Sequence, residues 1–429
     1  MTEPGASPAL TAPRVALALA GGGLEGAIYE IGALRALDEA TDGLDLNHLF
    51  LYVGVSAGAF IAACLANDLT SAQMCRAIVS QEPGEHPFVP ETFLTPAVRH
   101  MWRGGSAVPR LLLESIREWA AGGRSLLESL TRLGRALPVA VFDNEPIRSY
   151  LEKIYNLKSR TDDFRKLGKR LVIVAADLDS ATALRFGEPG LDHVPISRAV
   201  QASTALPGLY PPVEIDGRRV VDGVLLKTLH ASVALEAGAS LVICVNPIVP
   251  VDTAHAVESG LLSSPHLSDR GLPSVLSQTL RTIIHSRLEV GMAAYRDKYG
   301  GSDVVLLEPE RDDYLMFFTN IFSFAERRAV CQHAYQSTRR YLLEHHDDLA
   351  PVLARHGVTL RRDVLEEERD LWHEVGLAHG ARPQGARPQA ARPRPSTREA
   401  AGAADAAGAA LVRRLEDALG RIELLVDRS

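Results

Sequence analysis

The stretch LFLYVGVSAGAFIAACLA, Leu49 to Ala66, decides the fold. It reads as a buried strand (Leu49–Val53), one tight turn and a helix of small residues. The turn is Gly54-Val55-Ser56-Ala57-Gly58, a G-x-S-x-G pentapeptide. A serine at a sharp strand-to-helix turn sits in strained backbone, and glycines on either side let strand and helix approach each other. The helix N-terminus aims unpaired N–H groups near the serine, which favours developing negative charge. The pentapeptide alone also describes an ordinary Gly/Ser-rich loop. The strand before it and the helix after it favour the other reading, with Ser56 as a nucleophile and Gly54 and Gly58 as its supports.

Upstream, VALALA (15–20) is a short continuous apolar run, the pattern of a parallel strand buried on both faces. It leads into Gly21-Gly22-Gly23-Leu24-Glu25-Gly26 and then a helix with Ile28, Ile31, Leu34 and Leu37 at helical spacing. The glycines also spell G-x-G-x-x-G, so a dinucleotide site has to be weighed. That motif needs an acidic residue at the end of the second strand. Here the second strand ends in Gly-Val-Ser, and no Lys-Ser/Thr pair follows the glycines for a nucleoside-triphosphate loop. An oxyanion loop fits better. Two βα turns of one parallel sheet open at the same edge, so Gly21, Gly22 and Gly23 are expected to face Ser56.

Further along, 70–81 reads as a helix, and Asp143 or Asn144 is expected to cap a helix with Pro146 in its first turn. The insert between them is apolar, with helical stretches near 108–120 and 124–136. It suits a helical layer on the sheet or a cap over an acyl pocket. LVIVAADLD (171–179) reads as a strand, and A-T-A-L-R-F as its folded-back partner. A helix over 194–203 precedes a hairpin from Ile215 to Val221 that turns at Asp216-Gly217. Asp222 closes its second strand, backed by Gly223. A helix (229–238), a strand (241–246), a long helix (about 273–298) and a strand (304–309) follow. This alternation predicts an α/β fold of three layers, helices on both sides of a mostly parallel central sheet, with a helical C-terminal extension.

The chain has 429 residues, room for one large α/β domain with extras. The boundaries expected are a disordered tail over 1–13, a catalytic domain over 14–345 and a helical extension over 346–379. A Pro/Arg-rich linker over 380–396 and an amphipathic helix over 397–429 complete the chain. The linker reads as extended. The aromatic cluster Tyr314–Phe318 with Ile321, Phe322 and Phe324 suits either core or a lipid-facing lip. The last helix carries Leu411, Leu415, Leu419, Ile422 and Val426 on one stripe. That stripe suits self-association, a protein partner or docking on its own domain.

A net charge of −7 argues against a general nucleic-acid binder. The four cysteines are scattered without C-x-x-C or histidine pairing, as in small buried hydrophobes of a reducing compartment. No metal or cofactor is expected. The polar N-terminus and the six-residue apolar run behind it match neither a signal peptide nor a membrane span, so a cytoplasmic location is expected, with contact at a lipid surface.

A serine hydroxyl needs a base within hydrogen-bond reach. Fourteen histidines are available, and His230 and His285 follow Asp222, but neither sits in a short loop directly after a strand. Asp222 lies at a strand end where its carboxylate can point over the sheet edge, and burial can raise a carboxylate into the range of a useful base. Asp-Gly-Val is equally the signature of a hairpin or cap.

Taken together, GGGLEG (21–26), GVSAG (54–58) and STALPGLYPPVEIDGRRVVDGV (203–224) resemble the patatin-like phospholipases over about residues 15–245. The resemblance implies a Ser56–Asp222 dyad without histidine, an oxyanion hole at Gly21–Gly23, support from Gly26 and Gly223, and hydrolysis of lipid acyl esters through an acyl-enzyme. Asp177 matches an acidic position near the family's site. Glu25 departs from the Arg or Lys usual there, which weighs against anionic headgroups, and Val224 departs from a usual Gly or Ala. The alternatives are a hydrolase of hydroxyacid polyesters or small esters, and a catalytically weak lipid-binding or scaffold protein.

Overall fold

The structure, a computed structural model, describes residues 13–82, 88, 95, 140–258, 266–311, 313 and 324–377. The helices expected near 108–120 and 124–136, most of the 314–324 aromatic cluster, the linker and the final helix lie outside the described residues.

Eight strands form one sheet: β1 (Val15–Leu19), β2 (Leu51–Val55), β3 (Leu171–Asp177), β4 (Ala183–Phe186), β5 (Val213–Ile215), β6 (Arg218–Asp222), β7 (Leu241–Val245) and β8 (Asp303–Leu307). The order is β5-β6-β3-β2-β1-β7-β8, with β4 also paired to β3. The run β3-β2-β1-β7-β8 is parallel, whereas β4, β5 and β6 are antiparallel. The hairpin between β5 and β6 turns at Asp216 and Gly217, both with positive φ, the conformation a tight two-residue hairpin requires.

The helices that matter for the site are α1 (Gly23–Ala40), α2 (Ala57–Ala66), α3 (Glu145–Tyr155), α4 (Ile196–Ser203), α5 (Ala231–Glu236), α6 (Leu272–Lys298) and α7 (Phe324–Glu344). Successive strand side chains point to opposite faces. Leu17, Tyr52, Ile173 and Ile243 pack into a core with residues of α1, α2, α3, α4 and α7, while Ala16, Val53, Val174 and Cys244 pack with α5 and α6. Three layers result, and the continuous apolar runs of the central strands follow from burial on both faces. Helix α1 is itself enclosed. A Cβ on Gly32 would lie 2.5 Å from the Cys331 carbonyl of α7, so the two backbones touch where only glycine fits.

Two local features differ from expectation. The 70–81 segment is α-helical only over Ser71–Met74, where Thr70 and Gln73 form a capping box, and continues as a π-helix over Cys75–Val79. Ahead of α3, Asp143 accepts the Glu145 N–H at 2.9 Å, but the Asn144 amide turns away to donate to the Gln201 carbonyl at 2.8 Å. Asn144 thereby ties α3 to α4.

Candidate active site

Ser56 stands between β2 and α2 with φ 54 and ψ −123, a backbone conformation costly for any residue with a Cβ. The close approach around it explains the flanking glycines. A Cβ on Gly54 would lie 2.5 Å from the Gly58 carbonyl oxygen, and one on Gly58 equally close to the end of β1. The Gly58 N–H donates to the Ala20 carbonyl at 3.0 Å, pinning the start of α2 to the β1 terminus. The Ser56 N–H donates to the Ser203 hydroxyl at 2.8 Å, and that hydroxyl donates onward to the Val174 carbonyl at 2.6 Å.

Asp222 reaches Ser56 through the sheet register. Strand β3 carries β4 along one edge. On its other edge Val174 pairs with Val55, and the next residue, Ala175, pairs with Asp222. Parallel β2 and antiparallel β6 therefore run toward each other along the same edge and meet end to end. Gly223 occupies the junction: a Cβ there would lie 2.6 Å from the Val174 carbonyl oxygen and 2.9 Å from a Val55 methyl. The Asp222 carboxylate accepts a hydrogen bond from the Val224 N–H at 2.9 Å, and the neighbouring Ser56 side chain favours its ionised form. Asp222 is 1% exposed. Burial pushes its carboxyl up to about 7, and Ser56 and the Val224 N–H only partly oppose this. The group is thus divided between acid and base forms near neutral pH.

The glycine loop lies against this pair. A Cβ on Gly21 would sit 3.2 Å from the Ser56 Cβ and 3.1 Å from a Val224 methyl. The Gly21 N–H is engaged with the Thr228 carbonyl at 3.3 Å. Gly22 and Gly23 open α1, where backbone N–H groups have no partner within the helix. Gly26 supports them from below: its N–H donates to the Gly22 carbonyl at 3.0 Å, and a Cβ on Gly26 would meet the Pro247 ring at 2.9 Å.

These groups open into a cavity of about 350 Å³. Gly22, Gly23, Ser56 and Asp222 form one wall, and Phe60, Ile78, Phe88, Ile147, Leu206 and Ile284 are among the apolar side chains of the rest. The π-helical segment contributes Ile78. Phe60 and Phe88 pack at a centroid separation of 5.6 Å, which fixes that apolar wall.

The remaining candidates lie elsewhere. His230 is buried with its Nε2 lacking a hydrogen-bond partner, and burial holds it down at about 4. His285 faces Glu289 at 3.3 Å and the Arg311 guanidinium at 2.8 Å. Asp177 accepts the Asp179 N–H at 3.1 Å and the Ser180 N–H at 3.5 Å, the work of a turn former. Glu25 sits behind the glycine loop, 3.8 Å from the Arg281 guanidinium of α6, and burial pushes its carboxyl up to about 7. Sequence reasoning gave no role to Ser203 or Arg281. Ser203 lies within the third motif, but its hydroxyl has no spacing signature, and Arg281 belongs to a helix far along the chain.

Among the described residues no group of three or more His, Cys, Asp or Glu side chains could hold a metal ion. No helix among them is long and apolar enough to cross a membrane.

Comparison with known proteins gives three findings. The family model "Patatin-like phospholipase" matches residues 17–235. Patatin-like phospholipase domain-containing protein 6 of human and of mouse is 27% identical over 240 residues. That alignment covers 55% of this chain and 14% of the relatives' length. Among solved structures, VipD from Legionella pneumophila is similar at 14% identity and a TM-score of 0.30, covering 81% of this chain and 80% of its own. The type III effector ExoU is similar at 15% identity and a TM-score of 0.32, covering 76% of this chain and 52% of its own. With its family match spanning the glycine loop, the Ser56 turn and the strand that ends at Asp222, the chain belongs to the patatin-like phospholipase family.

Proposed function

We propose that this chain is a serine hydrolase of lipid acyl esters working through Ser56 and Asp222. The observation that carries the reading is the placement of Ser56, on a strained turn, beside a buried Asp222 carboxyl raised to about 7, at the wall of one apolar cavity. The family's name, and that of the relatives matched over the same region, support a lipid ester as substrate.

Ser56 Oγ attacks the ester carbonyl carbon while its proton passes to the Asp222 carboxylate. The tetrahedral oxyanion lies against the Gly22 and Gly23 N–H groups at the start of α1, where helix polarity favours negative charge. Gly21, its own N–H taken by Thr228, fixes the loop instead. The intermediate collapses, the alcohol leaves with the proton from Asp222, and the acyl group remains on Ser56. Asp222 then takes a proton from the water that attacks the acyl-enzyme and gives it to Ser56 Oγ as the fatty acid leaves, restoring the free hydroxyl and carboxylate. No histidine takes part.

The experiment that tests it is labelling with a long-chain fluorophosphonate followed by peptide mapping. A single adduct at Ser56, absent from Ser56→Ala together with ester hydrolysis, is expected. Labelling of another serine, with full hydrolysis by Ser56→Ala, would overturn the assignment.

A further inference from the structure

A second cavity, of about 480 Å³, lies between the 227–236 segment and the C-terminal half of α6. Leu229, Leu288 and Tyr295 form its buried apolar part, with the Tyr299 ring beside Tyr295 at a centroid separation of 6.5 Å. Lys227, Arg287 and Lys298 also line it. The Arg287 guanidinium donates to the Leu225 carbonyl at 3.3 Å, and the Lys298 ammonium lies 5.1 Å from the Tyr299 ring centroid. Lys227 has near it the buried His230, which burial keeps neutral at about 4. Glu236 is the one carboxylate among the described lining residues, and Arg185 already meets it at 2.8 Å. In a chain of net charge −7, this cavity therefore gathers three cations whose charge its own lining does not balance.

Gly291 lines the same cavity from the interior of α6. Glycine inside a helix is destabilising relative to alanine, and no close packing demands it here. A Cβ at Gly291 would have one neighbour, the Tyr295 hydroxyl, at 4.0 Å. The missing side chain is cavity space. Next to it Val290 is 70% exposed, the highest value for a large apolar side chain among the described residues. Like charges around an apolar hollow repel one another and attract an anion. An amphiphile with an apolar tail and an anionic head satisfies both parts of this lining. The cavity also adjoins the candidate active site without sharing a described lining residue with it. Thr228 lines it, and the Thr228 carbonyl accepts the Gly21 N–H at 3.3 Å.

We propose that this second cavity binds a long-chain carboxylate, its tail against Leu229, Leu288 and Tyr295 and its head among Lys227, Arg287 and Lys298. Hydrolysis of an acyl ester at Ser56 releases an anion of this class. That relation to the reaction rests on the proposed function; the binding site does not. A carboxylate held here lies against Thr228, the residue that fixes Gly21 of the glycine loop.

The test measures binding, so it is independent of turnover. Full-length protein is titrated calorimetrically at low ionic strength with decanoate below its micelle concentration, with decanol and with acetate. Decanoate should bind about tenfold more tightly than decanol, the worth of one charged contact, and acetate far more weakly than either. In the triple variant Lys227→Gln, Arg287→Gln, Lys298→Gln, all at exposed positions, decanoate affinity should fall to that of decanol. Gly291→Leu fills the cavity and should weaken both ligands about tenfold while raising the urea midpoint, a pair of changes that a damaged fold could not give. Decanoate affinity unchanged in both variants would place the ligand elsewhere and overturn the proposal. So would decanol binding as tightly as decanoate in the wild type. Acetate binding as tightly as decanoate would mark a bare anion site and overturn the long-chain assignment. Binding as expected by a chain that hydrolyses no ester would remove the hydrolase reading and leave this site standing.

Discussion

The Ser56 backbone N–H is donated to the Ser203 hydroxyl at 2.8 Å. The Ser56 amide is therefore used to hold the turn, through a hydroxyl that is in turn bonded to the Val174 carbonyl on β3. One side chain links the end of β2 to the neighbouring strand at the point where β6 also arrives. Ser203 is fully buried, so nothing from solvent can replace it.

Ser203→Ala should leave a buried N–H and a buried carbonyl short of a partner and cost about 1–3 kcal/mol of stability. Loss of hydrolysis should exceed the loss of folded protein at the assay temperature, because the turn that aims Ser56 loosens. Urea unfolding beside kcat on a soluble ester checks both. Activity equal to wild type would show that the strained turn holds without this tether.

Ser56→Gly should abolish hydrolysis and stabilise the fold. At φ 54 and ψ −123 a glycine escapes the strain that a side chain pays, a gain of about 1 kcal/mol after its greater unfolded freedom is counted. A higher urea midpoint in the inactive variant is the expected result. A lower midpoint would mean that the interactions of the Ser56 side chain with Asp222 outweigh the backbone strain.

Hydrolysis should depend on pH through Asp222. The base must be ionised to accept the Ser56 proton, and burial holds its carboxyl up at about 7. On a neutral short-chain ester kcat/KM should therefore fall as pH drops through about 7 and level off above it, since this profile reports the free enzyme. Glu25 is also raised to about 7, so the profile should be repeated in Glu25→Gln, where the midpoint is expected to stay. Asp222→Asn should lose most activity at every pH, while His230→Ala and His285→Ala keep most of theirs. A histidine variant as inactive as Asp222→Asn would replace the dyad with a triad.

Gly22→Val should displace the oxyanion loop. A Cβ on Gly22 would lie 2.6 Å from the Pro247 ring and 2.8 Å from the Gly26 Cα, so loop or ring has to move. Losing one oxyanion donor costs about 2.7–4 kcal/mol of transition-state stabilisation, or a hundredfold to a thousandfold in kcat. Fluorophosphonate labelling should slow by a similar factor, with KM for a soluble ester little changed. A large rise in KM at constant kcat would assign the loop to ground-state binding instead.

Much of this protein was legible as one-dimensional pattern. The buried strands, the hairpin at Asp216-Gly217 and the helix carrying Ile28, Ile31, Leu34 and Leu37 follow from apolar periodicity and turn residues, although that helix starts at Gly23, inside the glycine loop, earlier than periodicity alone placed it. The Gly54 and Gly58 supports were legible too, since close backbone approach admits one residue type. Only the tertiary structure decided what Asp222 lies beside. Its strand is antiparallel, and it meets β2 end to end along one edge of β3, a register set by pairing between segments far apart in sequence. The same holds for the Gly21 amide, taken by Thr228, for Ser203 beneath Ser56, and for Arg281, whose cation faces Glu25 across the layers. Hydrogen-bond partners and charge pairs form wherever packing brings groups together, and no spacing in the chain encodes that meeting.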